Sequence, residues 1–286
     1  MKTPSLILMT IILCNLSIPI NAQILTSRQQ KEDFDTLYSL LHQVHPDLFL
    51  YQTQKEFEKK HDSIYSSLNK ERNLSDFYFI VSPFVASVKD GHTNFTIPAT
   101  QDRIDYLNNG GLTLPLRLKK QFCDSVFSVV NREHVPNLVI DVRNNKGGSS
   151  AGVDMLLSYL SHDAYTLYIK TDLKISSYSK RYNEQKHPET YEEIKNLPDG
   201  SLFAIRDSFV EGNRDKADIY KGSVTVLVNE STYSGASTFA SAIKKSHAGK
   251  VLGETGCPTV YFGNYMSFTL PNSRLEYYIS LNKFYE

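Results

Sequence analysis

Two stretches of the chain repeat one pattern, and that pattern restricts the fold more than any other feature of the sequence. Leu138-Val139-Ile140-Asp141-Val142 and Val224-Thr225-Val226-Leu227-Val228 are short, apolar and β-branched, the make-up of buried strands. Each runs into a turn holding glycine, Arg143-Asn144-Asn145-Lys146-Gly147-Gly148 after the first and Asn229 to Gly235 after the second. The apolar period then becomes that of a helix. Val153, Leu156, Leu157 and Leu160 share one face after the first turn, with Ser149 or Ser150 as its cap. Ala236, Phe239, Ala240 and Ile243 stand at i, i+3, i+4 and i+7 after the second, in a helix running to about Lys245. Strand, turn and helix, twice over, predict an α/β layer with a largely parallel sheet.

The rest of the chain is arranged around that layer. Residues 27 to 88 read as helical. Ser27 with Gln30 has the capping-box spacing ahead of the stripe Phe34, Leu37, Tyr38, Leu41 and Val44. Thr53 with Glu56 repeats the box, and Ser75 is the expected cap of a third helix kinked at Pro83. We therefore expect a helical bundle over 23–97 and an α/β domain over 98–286. In the latter, Leu112 to Leu118 alternates like a strand. Phe122, Val126, Phe127 and Val130 mark a helix. Residues 171–222, polar and tyrosine-rich, read as a surface excursion containing a helix around Tyr191 to Lys195. Val251-Leu252 is a short strand, and Thr259 to Leu270 with Leu275 to Leu281 form a hairpin around Pro271-Asn272.

The first 22 residues follow a different logic. Lys2 precedes the apolar run Leu6 to Leu13, and the stretch closes at Ile20-Asn21-Ala22 before Gln23, which is the layout of a secretory signal peptide. The run is too short for a membrane span, and no later stretch qualifies. Leu13 before Cys14 argues against lipoprotein processing. The mature chain is thus expected outside the cytoplasm, periplasmic or secreted, starting near Gln23. Cys123 and Cys257 remain; an oxidising compartment permits a bridge, and their placement in different segments favours two thiols. Lys plus Arg and Asp plus Glu both number 31, so no basic surplus points to nucleic acid or anionic lipid.

Three short elements hold the residue types that chemistry needs. Ser234 occupies the helix N-cap position, where serine is favoured for capping alone. A nucleophile gains there as well, because first-turn amides are unpaired and the helix dipole favours negative charge. The amide of Gly235 then faces a developing oxyanion. His92, in Asp90-Gly91-His92, lies in a turn between helical and extended segments, where functional groups are commonly presented. Gly147-Gly148 lacks the Gly-Lys-Ser/Thr ending of a phosphate loop, yet suits a backbone donor to an oxyanion. His42 and His45, three apart, have no acidic or cysteine cluster beside them and read as a solvated helix surface rather than metal ligands.

These motifs resemble a known family. Asp141-Val142-Arg143-Asn144-Asn145-Lys146-Gly147-Gly148 is similar to the Asp-x-Arg-x-Asn-x-Gly-Gly segment of the tail-specific, or C-terminal processing, serine peptidases of family S41. Val226 to Ile243 resembles the nucleophile segment, and Gly253-Glu254-Thr255 the run that follows it. Ser87 to Thr93 resembles the histidine motif of the branch that includes tricorn protease and the interphotoreceptor retinoid-binding protein. The resemblance covers most of residues 30 to 280. It implies a ClpP/crotonase-like α/β core behind an N-terminal helical bundle, with Ser234 as nucleophile, His92 as general base, and Gly235 with Gly147 and Gly148 as oxyanion hole. It implies a peptide or protein substrate and no metal or organic cofactor; oligomeric state stays open.

The departures matter too. The lysine-dependent branch has a lysine where this chain reads Gly256-Cys257-Pro258-Thr259-Val260. Lys244 cannot replace it, since ten residues of helix set it roughly 15 Å from Ser234. The late glutamate of the histidine branch has only Glu276 as a nearby candidate, which reads as a solvated strand position, and the PDZ-like module is expected to be missing. The leading expectation is a secreted serine endopeptidase. The alternative is a catalytically impaired member of the fold that binds peptides or apolar ligands without hydrolysis.

Overall fold

The computed structural model describes residues 23–96, 120–148, 150–205, 209–212, 219–253 and 261–285. Both strand–turn–helix units are present. β4 (Asn137–Asp141) and β9 (Ser223–Leu227) are parallel neighbours, with Val139 opposite Thr225 and Asp141 opposite Leu227. β10 (Lys250–Leu252) adds a third parallel strand on the far side of β9. Val224 and Val226 are buried in the central strand, as is Val228 just beyond it. Among the described residues β4 is an edge, and Val139 is 59% exposed, so only one face of that apolar run is used. The helices following the strands, α5 (Ser150–Leu157) and α8 (Gly235–Lys245), pack against each other on this sheet. Ala236, Phe239, Ala240 and Ile243 are buried as the period requires, in one core with Leu157, Leu160 and Phe127. Phe127 comes from α4 (Lys120–Arg132), whose predicted inner residue Phe122 instead lies 57% exposed.

A second, antiparallel sheet stands beside the parallel one. The hairpin around Pro271-Asn272 is β11 (Phe262–Thr269) with β12 (Glu276–Tyr285). β12 is ten residues long. Its other edge pairs first with β3 (Asn94–Thr96) and then with β6 (Lys170–Lys174), and β6 pairs with β7 (Leu202–Ile205). Residues 170–205 are therefore not a surface excursion. Leu173, Ile175 and Ile194 are buried, and α6 (Ser177–Lys186) and α7 (Pro188–Ile194), which lie between β6 and β7 in the chain, pack Tyr178, Tyr182 and Ile194 into the same core. Thr171 and Asp172 disguise this strand as polar. Asp172 is buried yet paired, accepting from Lys170 Nζ at 2.9 Å and Tyr285 Oη at 2.9 Å.

The helices α1 (Ser27–Val44), α2 (Gln54–Ser67) and α3 (Leu74–Ala86) do not keep a core to themselves. Phe34, Leu37, Phe57, Phe77 and Phe84 share one with Leu173, Tyr277, Ile279 and Leu281 of the antiparallel sheet. Their caps differ in part from expectation. Thr26 with Gln29 forms the first box, one residue ahead of Ser27 and Gln30, because Ser27 Oγ donates to the carbonyl of Leu68. Thr53 and Glu56 form the second as expected, and Asn73 rather than Ser75 caps α3. Pro83 lies within α3. Two-residue strands β1 (Ile24–Leu25), β2 (Arg72–Asn73), β5 (Tyr165–Thr166) and β8 (Phe209–Val210) complete the inventory of described strands. The expected strand at Leu112 to Leu118, Ser149, the signal segment, Glu254, Thr255 and Cys257 lie outside the described residues. Cys123 is buried.

Candidate active site

The site begins where β9 ends. Asn229 ties the turn after β9 to the turn after β4. Its Oδ1 accepts the amides of Asn144 and Ser231, and its Nδ2 donates to Asn144 Oδ1 at 3.0 Å. The Tyr233 amide donates to the Asn145 carbonyl, and Thr232 Oγ1 donates to that of Val142. Between these ties Ser234 adopts φ 52 and ψ −128, a conformation costly for a residue with a Cβ. Gly147 presses on it from the other turn at φ +88. A Cβ there would sit 2.5 Å from Gly235 N and 2.7 Å from Ser234 Cβ, so only glycine fits.

Ser234 holds the N-cap position of α8 but makes no side-chain capping bond. Its Oγ lies 2.8 Å from His92 Nε2 instead. Capping alone thus does not account for this serine. The nearby amides divide cleanly. Gly147 N–H is engaged, donating to Asn145 Oδ1 at 2.8 Å. The amides of Gly148 and Gly235 have no acceptor among the described residues. Of the three glycines expected around an oxyanion, Gly148 and Gly235 keep unpaired amides among the described residues, and the Gly147 amide is taken by Asn145.

His92 arrives from the other side, on the turn between α3 and β3. Asp90 Oδ1 accepts the His92 amide at 2.9 Å, an Asx turn that fixes the loop. Gly91 is packed so tightly that a Cβ would fall 2.3 Å from Tyr233 Oη. Tyr233 also covers the His92 ring, with centroids 5.0 Å apart, and its Oη lies 3.3 Å from Nδ1. Burial pulls the imidazole below its ordinary value, against the opposing pull of the Asp90 charge and the Phe262 carbonyl. That direction favours the neutral ring, the form able to accept a proton. Burial, reinforced by the Asp90 charge, pushes the Tyr233 phenol up to about 12, so it keeps its proton.

Behind His92 sits a polar cluster that the sequence did not mark. Asp90 is buried, and its Oδ2 accepts from Thr93 Oγ1 and Ser280 Oγ, both at 2.6 Å. His45 Nε2 approaches the same oxygen at 3.3 Å. Burial alone would raise the Asp90 carboxyl, but the bonds from His45, Ser280 and Thr93 outweigh it and hold the group below the usual carboxylate range. His45 is fully buried at the end of α1, a correction to the solvated surface expected for it. Glu276, the acidic candidate from the sequence, is exposed at the first residue of β12. An aspartate two residues before the histidine was the available signal for Asp90. His45 and Ser280 gave none, being distant in the chain.

Comparison with known proteins supports the same architecture. Residues 110–285 match the model of peptidase family S41. No curated protein matches the chain. A peptidase structure from Parabacteroides merdae ATCC 43184 is similar with 16% identity and a TM-score of 0.59, covering 89% of this chain and 84% of that one. Mature CPAF is similar with 10% identity and a TM-score of 0.65, covering 90% and 89%. At such identities the likeness concerns the fold.

Proposed function

The chain belongs to peptidase family S41, and from that premise we propose that it is a serine endopeptidase acting outside the cytoplasm. Ser234 Oγ attacks the substrate carbonyl while its proton passes to His92 Nε2. The oxyanion that forms is held by the amides of Gly148 and Gly235, aided by the N-terminus of α8. The imidazolium returns the proton to the leaving amine, and water then releases the acyl group by the same two steps in reverse. The observation that carries this reading is the 2.8 Å approach of Ser234 Oγ to His92 Nε2. A capping serine has no need of that partner. Export rests on Lys2, the apolar run and the Ala22 ending, and predicts a mature N-terminus near Gln23.

The test is labelling by a fluorophosphonate probe, with hydrolysis of an unstructured peptide. Wild-type protein is expected to label on Ser234. Ser234→Ala is expected to abolish labelling and hydrolysis, and His92→Ala to reduce both by at least about 100-fold. Hydrolysis undiminished in Ser234→Ala would sink the proposal. A folded wild type that neither labels nor cleaves would favour a peptide-binding member without hydrolysis.

A further inference from the structure

The family resemblance directs attention to a late glutamate as support for the histidine, and Glu276 is exposed. The geometry points elsewhere: we infer that Asp90 is the positioning carboxylate that sets the tautomer of His92, and that His45, Thr93 and Ser280 exist to hold it charged. This rests on the Ser234–His92 reading and adds the third member of the set.

The argument starts from the far end. The Asp47 amide donates to His45 Nδ1 at 3.2 Å. That nitrogen is therefore an acceptor, and the ring's proton sits on Nε2, which faces Asp90 Oδ2 at 3.3 Å. His45 is thereby a donor to Asp90. With Thr93 and Ser280 it supplies three donors to Oδ2. Oδ1 takes only the His92 amide from the described residues, and lies 3.9 Å from His92 Nδ1. A negative charge on that side favours the tautomer with the proton on Nδ1, leaving Nε2 free to accept from Ser234. The distance is longer than a hydrogen bond, so the carboxylate acts on the ring through its charge across a short gap. Thr93 and Ser280 also bond each other, Ser280 N–H to Thr93 Oγ1 at 3.1 Å, so the carboxylate is fixed to β12 as well as to its own turn. Other groups facing the pair are Tyr51 from the loop after α1, Tyr233 from the serine turn and Tyr265 from β11. Tyr233 Oη competes for Nδ1. As donor to Nδ1 it would impose the unproductive tautomer, and the Asp90 charge opposes this.

The experiment measures the pH dependence of fluorophosphonate labelling in wild type and Asp90→Asn, with thermal midpoints for both. Imidazole 15N shifts of wild-type His92 are recorded alongside. Loss of the charge is expected to slow labelling at least about 100-fold. It is also expected to move the acid limb of the profile down by about one pH unit, because a nearby anion holds the imidazole up. The 15N shifts are expected to report the Nδ1–H tautomer. A folded Asp90→Asn that labels at the wild-type rate overturns the inference. So does slower labelling with an unmoved acid limb, which would leave Asp90 a role in the fold alone. If Asp90→Asn does not fold, the wild-type tautomer decides, and a proton on Nε2 refutes the assignment. Failure of wild type and His92→Ala to differ in labelling would instead sink the Ser234–His92 reading, so the two failures are distinguishable.

Discussion

At the scale of single residues, the strain at Ser234 separates chemistry from stability. Its φ of 52 is one that glycine adopts freely and alanine does not. The hydroxyl makes no capping bond, so removing it forfeits no cap. We expect Ser234→Gly to be more stable than Ser234→Ala by about 1 kcal/mol, the reverse of the usual order at helical positions. Urea denaturation of the two inactive variants measures the difference. Equal stability would show that the backbone relaxes once the side chain is cut back. Ser234, His92 and the paired glycines were legible in the sequence because each lies in a short local motif. The division of labour between Gly147 and Gly148 was not, since it depends on where the Asn145 side chain turns. Asp90 was in view as part of the histidine motif, but its setting was hidden. His45 lies 45 residues away and Ser280 lies 190 away.

At the scale of elements, α1 does more than cover the sheet. Asp33, fully buried on that helix, accepts the amides of Asn272 and Ser273 and the side chain of Asn272 at 2.7 to 3.0 Å. One carboxylate thus caps the turn of the β11–β12 hairpin. Asp33→Ala would leave the buried Ser273 amide unanswered and the half-buried Asn272 amide without its partner, while the Asn272 side chain keeps Gln29 and Glu32, at a cost of about 2 kcal/mol. A drop in stability below about 1 kcal/mol on urea titration would show that the turn holds itself. Helix periodicity predicted the inner face of α1 well: Phe34, Leu37, Leu41 and Val44 are all buried. It could not predict that Asp33 and His45 would be buried too, because polar groups enter a core only when distant partners satisfy them. The same reason hid β6, where a buried aspartate made a central strand look like an exposed loop.

At the scale of the molecule, the parallel sheet was legible from its repeated unit, while the antiparallel sheet's extent was not. Its strands β3, β6, β7, β11 and β12 come from four separated stretches of chain. Two hydrophobic cores result, one around the helices and the antiparallel sheet, the other around α8 and the parallel sheet. β12 passes from one to the other, ending with Phe284 stacked on Tyr168. Ser234 stands at the edge of the second core and His92 at the edge of the first, so their contact crosses the seam. A displacement of about 1 Å there is enough to cripple such a pair, far less than is needed to melt either core. We expect labelling of Ser234 to disappear at lower urea concentrations than the far-ultraviolet circular dichroism signal; coincident midpoints would mean that the cores never separate. The arrangement amounts to an interlock. On the proposed mechanism, a chain with only one core assembled carries either a serine without its base or a histidine without its target. A newly made molecule would stay inert until both parts are built and locked together, with no separate inhibitor required.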